Sequence, residues 1–343
     1  GLFLMATFLA TQAATMTTTY GWSGDIVTET PNQIVVTNGK GNTINYNGTF
    51  KYNAAGGITE GVLIGYTAQK NYALDYTITG LNIPGGTAFN LIQSGDTQYT
   101  LRSVLDGNDI INGSVENDVL SGFLGNDTIN GGVGNDTCYG GPGNDRFIAS
   151  IGSDRYFGEA GFDTAQFNFS RSSYSITRVD SNTIRVQVTG AEDFTLANSI
   201  ERFSFSGNQI TAFDIGYHEN AGEAYRMYQA ALNRAPDANG LAGWINFLDQ
   251  GGEAIKMADQ FIASTEFGRT YGLLNNTAFV QLLYNNVLGR NGEDAGVRGW
   301  VDGLNKGMTR AEVLLGFSES SENIDRVAPA ISNGINYVEW WLN

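Results

Sequence analysis

The sequence predicts a multidomain chain of β plus α class. An N-terminal β-domain is followed by a parallel β-roll with trailing β-strands, and then by a duplicated all-helical domain. Three observations carry that prediction. Polar and apolar residues alternate through residues 26–105, a nine-residue phrase recurs over 106–165, and a helical pattern beyond 217 repeats itself after 56 residues. The expected segments are 1–105, 106–216 and 217–343.

The first segment opens on GLFLMATFLATQAATMTTTYGWSG, which has no charged side chain before Asp25. ATQAA resembles a signal-peptidase site, but no basic residue precedes it, so the segment is expected to persist in the mature chain, with Met5 as an alternative initiator. An uncharged, Thr-rich terminal segment reads either as a strand offered to another subunit or as the first strand of its own domain. Beyond it, Ile44, Tyr46, Phe50 and Tyr52 share one strand face, as do Tyr72, Leu74, Tyr76 and Ile78. TNGKGN and AAGG mark turns, and Asn47-Gly48-Thr49 is a glycosylation sequon expected to be a bare turn. This β-domain is expected to cap the N-terminal end of the roll.

In the second segment, steps of nine from Asp109 land on Asp118, Asp127, Asp136, Asp145, Asp154 and Asp163. Two residues before each stands Gly107, Gly125, Gly134, Gly143, Gly152 or Gly161, with Glu116 the one break in the column. Two residues after comes Ile111, Leu120, Ile129, Cys138, Phe147, Tyr156 or Ala165. Glycines supply a tight turn, and the x-apolar-x triplet supplies a short strand with one inward side chain. Two units make one coil, so aspartates eighteen residues apart stack: Asp109, Asp127, Asp145 and Asp163 in one ladder, Asp118, Asp136 and Asp154 in the other. Stacked carboxylates repel unless a cation lies between them. Carboxylate and carbonyl oxygens suit Ca²⁺, which accepts about six to eight of them. Nine acids face two arginines between Asp109 and Asp163, so folding and metal binding are expected to be one event. Cys138, the only cysteine, falls in the inward column and reads as a small hydrophobe.

These residues resemble the RTX calcium-binding nonapeptide, Gly-Gly-x-Gly-x-Asp-x-apolar-x, most closely in GGVGNDTCY and GGPGNDRFI. The units ASIGSDRYF and GSVENDVLS depart from it at their glycines. The resemblance implies several Ca²⁺ ions in the turns of a parallel β-roll. The candidate ligands are the seven aspartates together with Gly125, Gly134 and Gly143. It also implies type I export and folding outside the cell. The alternating SYSITRVDSNTIRVQVTG and the phrase LANSIERFSFSGNQIT, similar to strands that trail such rolls, are expected to cover its C-terminal end, with Glu201 and Arg202 as a structural pair.

In the third segment, Tyr225, Tyr228 and Leu232 share a helix face, and Thr309 caps a later helix. Tyr228, Arg234, Gly240, Trp244, Phe261 and Glu266 return as Tyr284, Arg290, Gly296, Trp300, Phe317 and Glu322. The phrases NRAPDANGLAGW and GRNGEDAGVRGW resemble domain of unknown function 4214 over nearly all of residues 218–325. Trp244 and Trp300 are candidates for a sugar-stacking surface or for core. Asp237-x-Asn239 lacks the remaining ligands of an EF-hand loop. The closing INYVEWWLN reads as the end of a type I secretion signal, or as a final packed element.

Net charge of −16 argues against nucleic acid or an anionic membrane as partner. No apolar run reaches a membrane span. The lone His218 excludes a His-Glu-x-x-His zinc site, and no Gly-x-Ser-x-Gly elbow or phosphate loop is present. The expectation is a non-enzymatic, exported, extracellular calcium-binding structural protein, a self-assembling filament or surface-layer subunit. The alternative is a monomeric adhesin or module that contacts a surface glycan.

Overall fold

The structure is a computed structural model that describes residues 5–10, 25–54, 58–70, 73–94 and 97–339. The chain forms two compact units, Gly1–Phe203 and Ser204–Asn343, so the last part of the expected 106–216 segment, from Ser204 on, belongs to the second.

The first unit opens with β1 (Thr7–Ala10), β2 (Asp25–Glu29), β3 (Gln33–Thr37), β4 (Thr43–Tyr52), β5 (Ile58–Lys70) and β6 (Ala73–Pro84). Ile44, Tyr46 and Phe50 are buried on the inner face of β4, and Tyr76 and Ile78 on that of β6, as their alternation requires. Tyr72 lies outside the described residues. TNGKGN turns between β3 and β4, whereas AAGG falls largely outside the described residues. The Asn47-Gly48-Thr49 sequon is not a turn. It lies within β4 at a register shift, where a Cβ on Gly48 would meet the Val62 carbonyl oxygen at 2.2 Å. Residues 85–104, expected as β, form α1 (Gly85–Ser94) and α2 (Thr97–Val104). Ala88, Leu91 and Ile92 recur there at helical rather than strand spacing, and all three are buried.

The roll follows, with β7 (Ile110–Asn112), β8 (Val119–Ser121), β9 (Thr128–Asn130), β10 (Thr137–Pro142), β11 (Arg146–Ile148), β12 (Asp154–Ala160) and β13 (Thr164–Gln166). Odd and even strands go to different sheets. One sheet pairs β7, β9, β11 and β13 in parallel, with Ile111, Ile129, Phe147 and Ala165 in register. The other pairs β8, β10 and β12, with Leu120, Cys138 and Tyr156 in register. All seven inward side chains are at most 1% exposed. Each large one contributes about 1.5–3 kcal/mol by burial. The turns stack just as closely: Gly143 has φ 149°, and a Cβ there would meet the Gly125 carbonyl oxygen at 1.7 Å.

Strands outside the repeat continue both sheets in the same register. At the N-terminal end, β1 lies between β6 and β7, antiparallel to one and parallel to the other, with Phe8 beside Ile111. Strand β1 is therefore the first strand of its own chain's sheet, and it joins the N-terminal strands to the N-terminal end of the roll. At the other end come β14 (Tyr174–Arg178), β15 (Thr183–Val188), β16 (Phe194–Asn198) and β17 (Arg202–Phe205). The hairpin of β14 and β15 turns on Asp180, whose carboxylate accepts from the Asn182 and Thr183 N–H groups. Strand β16 runs parallel to β12 and sets Ala197 beside Tyr156, and β17 is the neighbour of β13.

The second unit holds β18 (Gln209–Ala212), ten-residue to thirteen-residue helices α3 (Asn220–Leu232), α4 (Ala238–Asp249) and α5 (Ala254–Ala263), and then α6 (Thr265–Tyr271), α7 (Asn276–Leu283), α8 (Asp294–Asn305), α9 (Arg310–Ser318), α10 (Ser321–Ile331) and β19 (Ile335–Val338). Tyr228 and Leu232 are buried and Tyr225 packs against the same core. Thr309 caps α9 in a reciprocal capping box with Glu312. The duplication has a packing logic. Tyr228 meets Phe261 edge-on at 4.8 Å, and Tyr284 meets Phe317 at 4.9 Å. Arg234 pairs with Glu266, and Arg290 with Glu322. The copies differ at the cap. Asp237 pairs with Arg234 and also accepts from the Gly240 N–H, whereas Glu293 makes the equivalent pair with Arg290 without a capping bond. The described part of INYVEWWLN is β19, antiparallel to β18, with Ile335 and Tyr337 buried. Its final four residues lie outside the described ones.

Candidate metal centre in the aspartate ladders

The seven repeat aspartates are buried, none more than 2% exposed. Their Oδ1 atoms build the two ladders. Asp109 N–H donates to Asp127 at 2.7 Å, Asp127 N–H to Asp145 at 2.8 Å and Asp145 N–H to Asp163 at 2.8 Å. In the second ladder Asp118 N–H donates to Asp136 at 2.8 Å, and Asp136 N–H to Asp154 at 3.1 Å. The eighteen-residue stacking is thus direct, with each carboxylate hung on the backbone of the coil before it. The first ladder is held at both ends: Ala6 N–H of the β1 segment donates to Asp109 at 2.6 Å, and Asp163 N–H donates to Glu201 at 2.7 Å.

The other carboxylate oxygens divide the seven. Oδ2 of Asp109, Asp127, Asp136, Asp145 and Asp163 is buried without a hydrogen-bond partner. Burial first, then neighbouring carboxylates, raise these groups: Asp127 to about 8, Asp163 to about 7 and Asp136 to about 6. Burial likewise lifts Asp109 and Asp145 to about 6. Asp118 and Asp154 are different. Ser114 donates its N–H and hydroxyl to Asp118 Oδ2 at 2.6 and 3.0 Å, and the Ser150 and Tyr156 hydroxyls each reach Asp154 Oδ2 at 3.1 Å. These serines stand in the two units that depart from the repeat's glycines.

The cradles around Oδ2 are shaped by glycine. A Cβ on Gly122, Gly140 or Gly158 would sit 2.2–2.3 Å from Oδ2 of the aspartate five residues on. On Gly122 it would also meet the Gly140 carbonyl oxygen at 2.6 Å. Orphaned oxygens beside carbonyls, with no donor or nitrogen ligand among them, form a donor set that fits Ca²⁺. Gly125, Gly134 and Gly143 hold the positive-φ turns that bring successive coils together. Cys138 is fully buried between Leu120 and Tyr156, and burial pushes its thiol up.

A column adjoining the aspartates escapes a reading confined to Gly, Asp and apolar positions. Asn108 accepts from Asn126 N–H, Asn126 from Asn144 N–H and Asn144 from Phe162 N–H, at 2.7–2.9 Å. Asn117 and Asn135 do the same for the second ladder. The signal was available: an Asn precedes five consecutive repeat aspartates.

A second acidic cluster lies in the helical unit, where His218, Glu223 and Glu319 bring ligand atoms within 4.8 Å of one another. The fully buried Arg226 already holds Glu319 through two bonds of 2.8 and 2.5 Å, so this cluster is an ion pair rather than a cation cradle. Trp244 and Trp300 are half-buried, and their rings lie against Phe261 at 5.5 Å and Phe317 at 5.3 Å.

Residues 105–138 and 138–165 match the RTX calcium-binding nonapeptide repeat (4 copies), and residues 258–327 match the domain of unknown function DUF4214. The chain therefore carries a roll of calcium-binding repeats. The second match covers the later copy of the helical duplication and the end of the earlier one. Among solved structures, the chain is similar over 28% of its length to extracellular lipase LipA from Serratia marcescens, at 27% identity and TM-score 0.21, and spans 14% of that chain. It is also similar over 27% of its length to the AlgE6R3 subunit of the Azotobacter vinelandii mannuronan C5-epimerase, at 18% identity and TM-score 0.17, covering 71% of that chain. No curated protein matches.

The division among the aspartates gives a direct expectation. Asp127→Asn should remove a tightly bound calcium, whereas Asp118→Asn should leave the number bound unchanged. Calcium counted by native mass spectrometry checks this, and equal losses in both variants would refute the division.

Proposed function

We propose that the chain is an exported, non-catalytic calcium-binding protein whose roll folds when calcium fills the aspartate ladders outside the cell. The observation that carries this reading is the set of five buried, unpartnered Oδ2 atoms, four stacked in the first ladder and one, of Asp136, in the second. Such a set is unfavourable when ionised and metal-free, and calcium is scarce inside cells and abundant outside. Folding is thereby delayed until export, which fits the RTX resemblance.

The second question is whether the folded chain polymerises as a filament or surface layer. The described parts of the two apolar ends that suggested assembly are paired within the chain: β1 with β6 and β7, and β19 with β18. Strand β2, last in its sheet among the described strands, carries a register shift between Ile26 and Thr28 and an acid at each end. Such features blunt edge-to-edge pairing. We therefore favour the monomeric calcium-dependent module over a self-assembling subunit. A filament would have to assemble through other surfaces. Deleting residues 1–20 tests folding rather than assembly, because it removes an internal strand. The informative experiment is sedimentation velocity with negative-stain microscopy, in millimolar calcium and after chelation. A compact single-chain species in calcium is expected, and calcium-dependent polymers would overturn the monomer.

A further inference from the structure

The sequence ladder ends at Asp163, because no aspartate stands eighteen residues later. The structural ladder does not end there. Asp163 N–H donates to Glu201 Oε2 at 2.7 Å, the bond that Asp127, Asp145 and Asp163 each accept from the coil before. The backbone repeats the pattern. Thr128, Arg146 and Thr164 donate their N–H groups to the carbonyls of Asp109, Asp127 and Asp145, and Arg202 donates to that of Asp163 at 3.1 Å. Phe203, two residues after Glu201, is fully buried, like the apolar residue two after each aspartate. Glu201 therefore occupies the next rung, reached by a 38-residue excursion through β14, β15 and β16.

The cradle is repeated as well. A Cβ on Gly158 would meet Asp163 Oδ2 at 2.3 Å and the Ser199 carbonyl oxygen at 2.1 Å. In the coil two turns earlier, Gly122 meets Asp127 Oδ2 and the Gly140 carbonyl in the same way. Ser199 holds a left-handed backbone, φ 51°, and only Ile200 separates it from Glu201. In the repeat, five residues run from the cradle glycine to the aspartate. The shorter turn is matched by a side chain one methylene longer, which restores the reach of the carboxylate. Asp163 Oδ2 at this end is buried and has no partner.

We propose that Glu201, from outside the nonapeptide repeat, supplies the closing carboxylate of a terminal calcium site with Asp163 and the Ser199 carbonyl. The proposal rests on the reading that the ladders bind calcium, and it makes the trailing strands part of the metal centre rather than a passive cover. It also explains why an acidic residue stands there: a side chain without an acceptor oxygen, such as leucine or arginine, would leave the Asp163 N–H without this bond and would bring no anionic ligand beside Asp163 Oδ2.

The test is to count calcium ions on the intact chain by native mass spectrometry, with affinities by isothermal titration, for the wild type and Glu201→Gln. Glutamine keeps an oxygen for the Asp163 N–H and removes the charge. One calcium fewer, or one site weakened at least tenfold with the others unchanged, is the expected result. An unchanged count and unchanged affinities, in a wild type that does bind calcium, would overturn the role of Glu201 alone. A wild type that binds none would overturn the ladder reading itself. If the glutamine variant does not regain the wild-type circular dichroism spectrum in saturating calcium, Glu201→Asp decides. It keeps the charge but withdraws the oxygens, so one site should weaken selectively, and a profile identical to wild type would refute the proposal.

Discussion

Removing calcium at pH 8 should abolish the β-roll, and adding it back should restore it. The magnitude follows from linkage. A ligand at about a hundredfold excess over its Kd stabilises the folded state by about 2.7 kcal/mol per site. Three such sites contribute about 8 kcal/mol, within the whole net stability of an ordinary domain, about 5–15 kcal/mol. The pH dependence has a definite sign. Burial raises Asp127 to about 8, Asp163 to about 7, and Asp109, Asp136 and Asp145 to about 6 in the metal-free fold. A folded-state pKa above the unfolded one means that the folded chain holds protons more tightly. That stabilisation is fully present below the unfolded carboxyl value, near 3.8, and is lost as pH rises through about 6 to 8. The calcium-free roll should therefore be most stable in mild acid. Calcium reverses the trend, because protons compete for the same oxygens, and its affinity should fall as pH drops from 8 to 5. Circular dichroism melts of calcium-free and calcium-loaded protein at both pH values check each half. A calcium-free spectrum at pH 8 that matches the loaded one would sink the coupling of folding to metal.

The aspartate ladders were legible because they depend on a fixed period: eighteen residues make one coil, so neighbours in space are neighbours in arithmetic. The inward column from Ile111 to Ala165 was legible for the same reason. What escaped was whatever closes a contact without a period. Glu201 reaches Asp163 only after a hairpin has left and rejoined the sheet, and nothing in LANSIERF states that distance. Strand β1 was expected as a strand, but its place between β6 and β7 is a non-local pairing, and alternation in sequence fixes a face and not a neighbour. The serine donors on Asp118 and Asp154 show a third limit. A departure from the repeat reads in sequence as a weaker match, while in space it is a hydroxyl set against a carboxylate. In the helical unit the duplication announced its packing partners, yet the unshared residues, Arg226 and Glu319, build its buried ion pair.

That pair carries the second large expectation. Arg226 is fully buried and gives all of its directional bonding to one neighbourhood: Nε and Nη2 to the Glu319 carboxylate, Nη1 to the Ile215 carbonyl at 2.9 Å and Nη2 to the Gly216 carbonyl at 2.8 Å. Arg226→Met keeps the length and the apolar stem but leaves Glu319 as a buried carboxylate beside Glu223, itself raised by burial and by Glu319. Breaking a buried pair by removing one partner costs about 3–5 kcal/mol. For a unit of this size that corresponds to a fall in Tm on the order of 10–20 °C. The cost comes mainly from the stranded charge, not from the lost attraction, so removing the second charge should return much of it. Arg226→Met with Glu319→Leu is expected to be more stable than Arg226→Met alone, a strongly non-additive cycle. Thermal melts of the two single variants and the double variant in saturating calcium measure this with the roll held folded. If the single arginine variant loses less than about 1 kcal/mol, or the two losses simply add, the buried pair does not organise the helical unit.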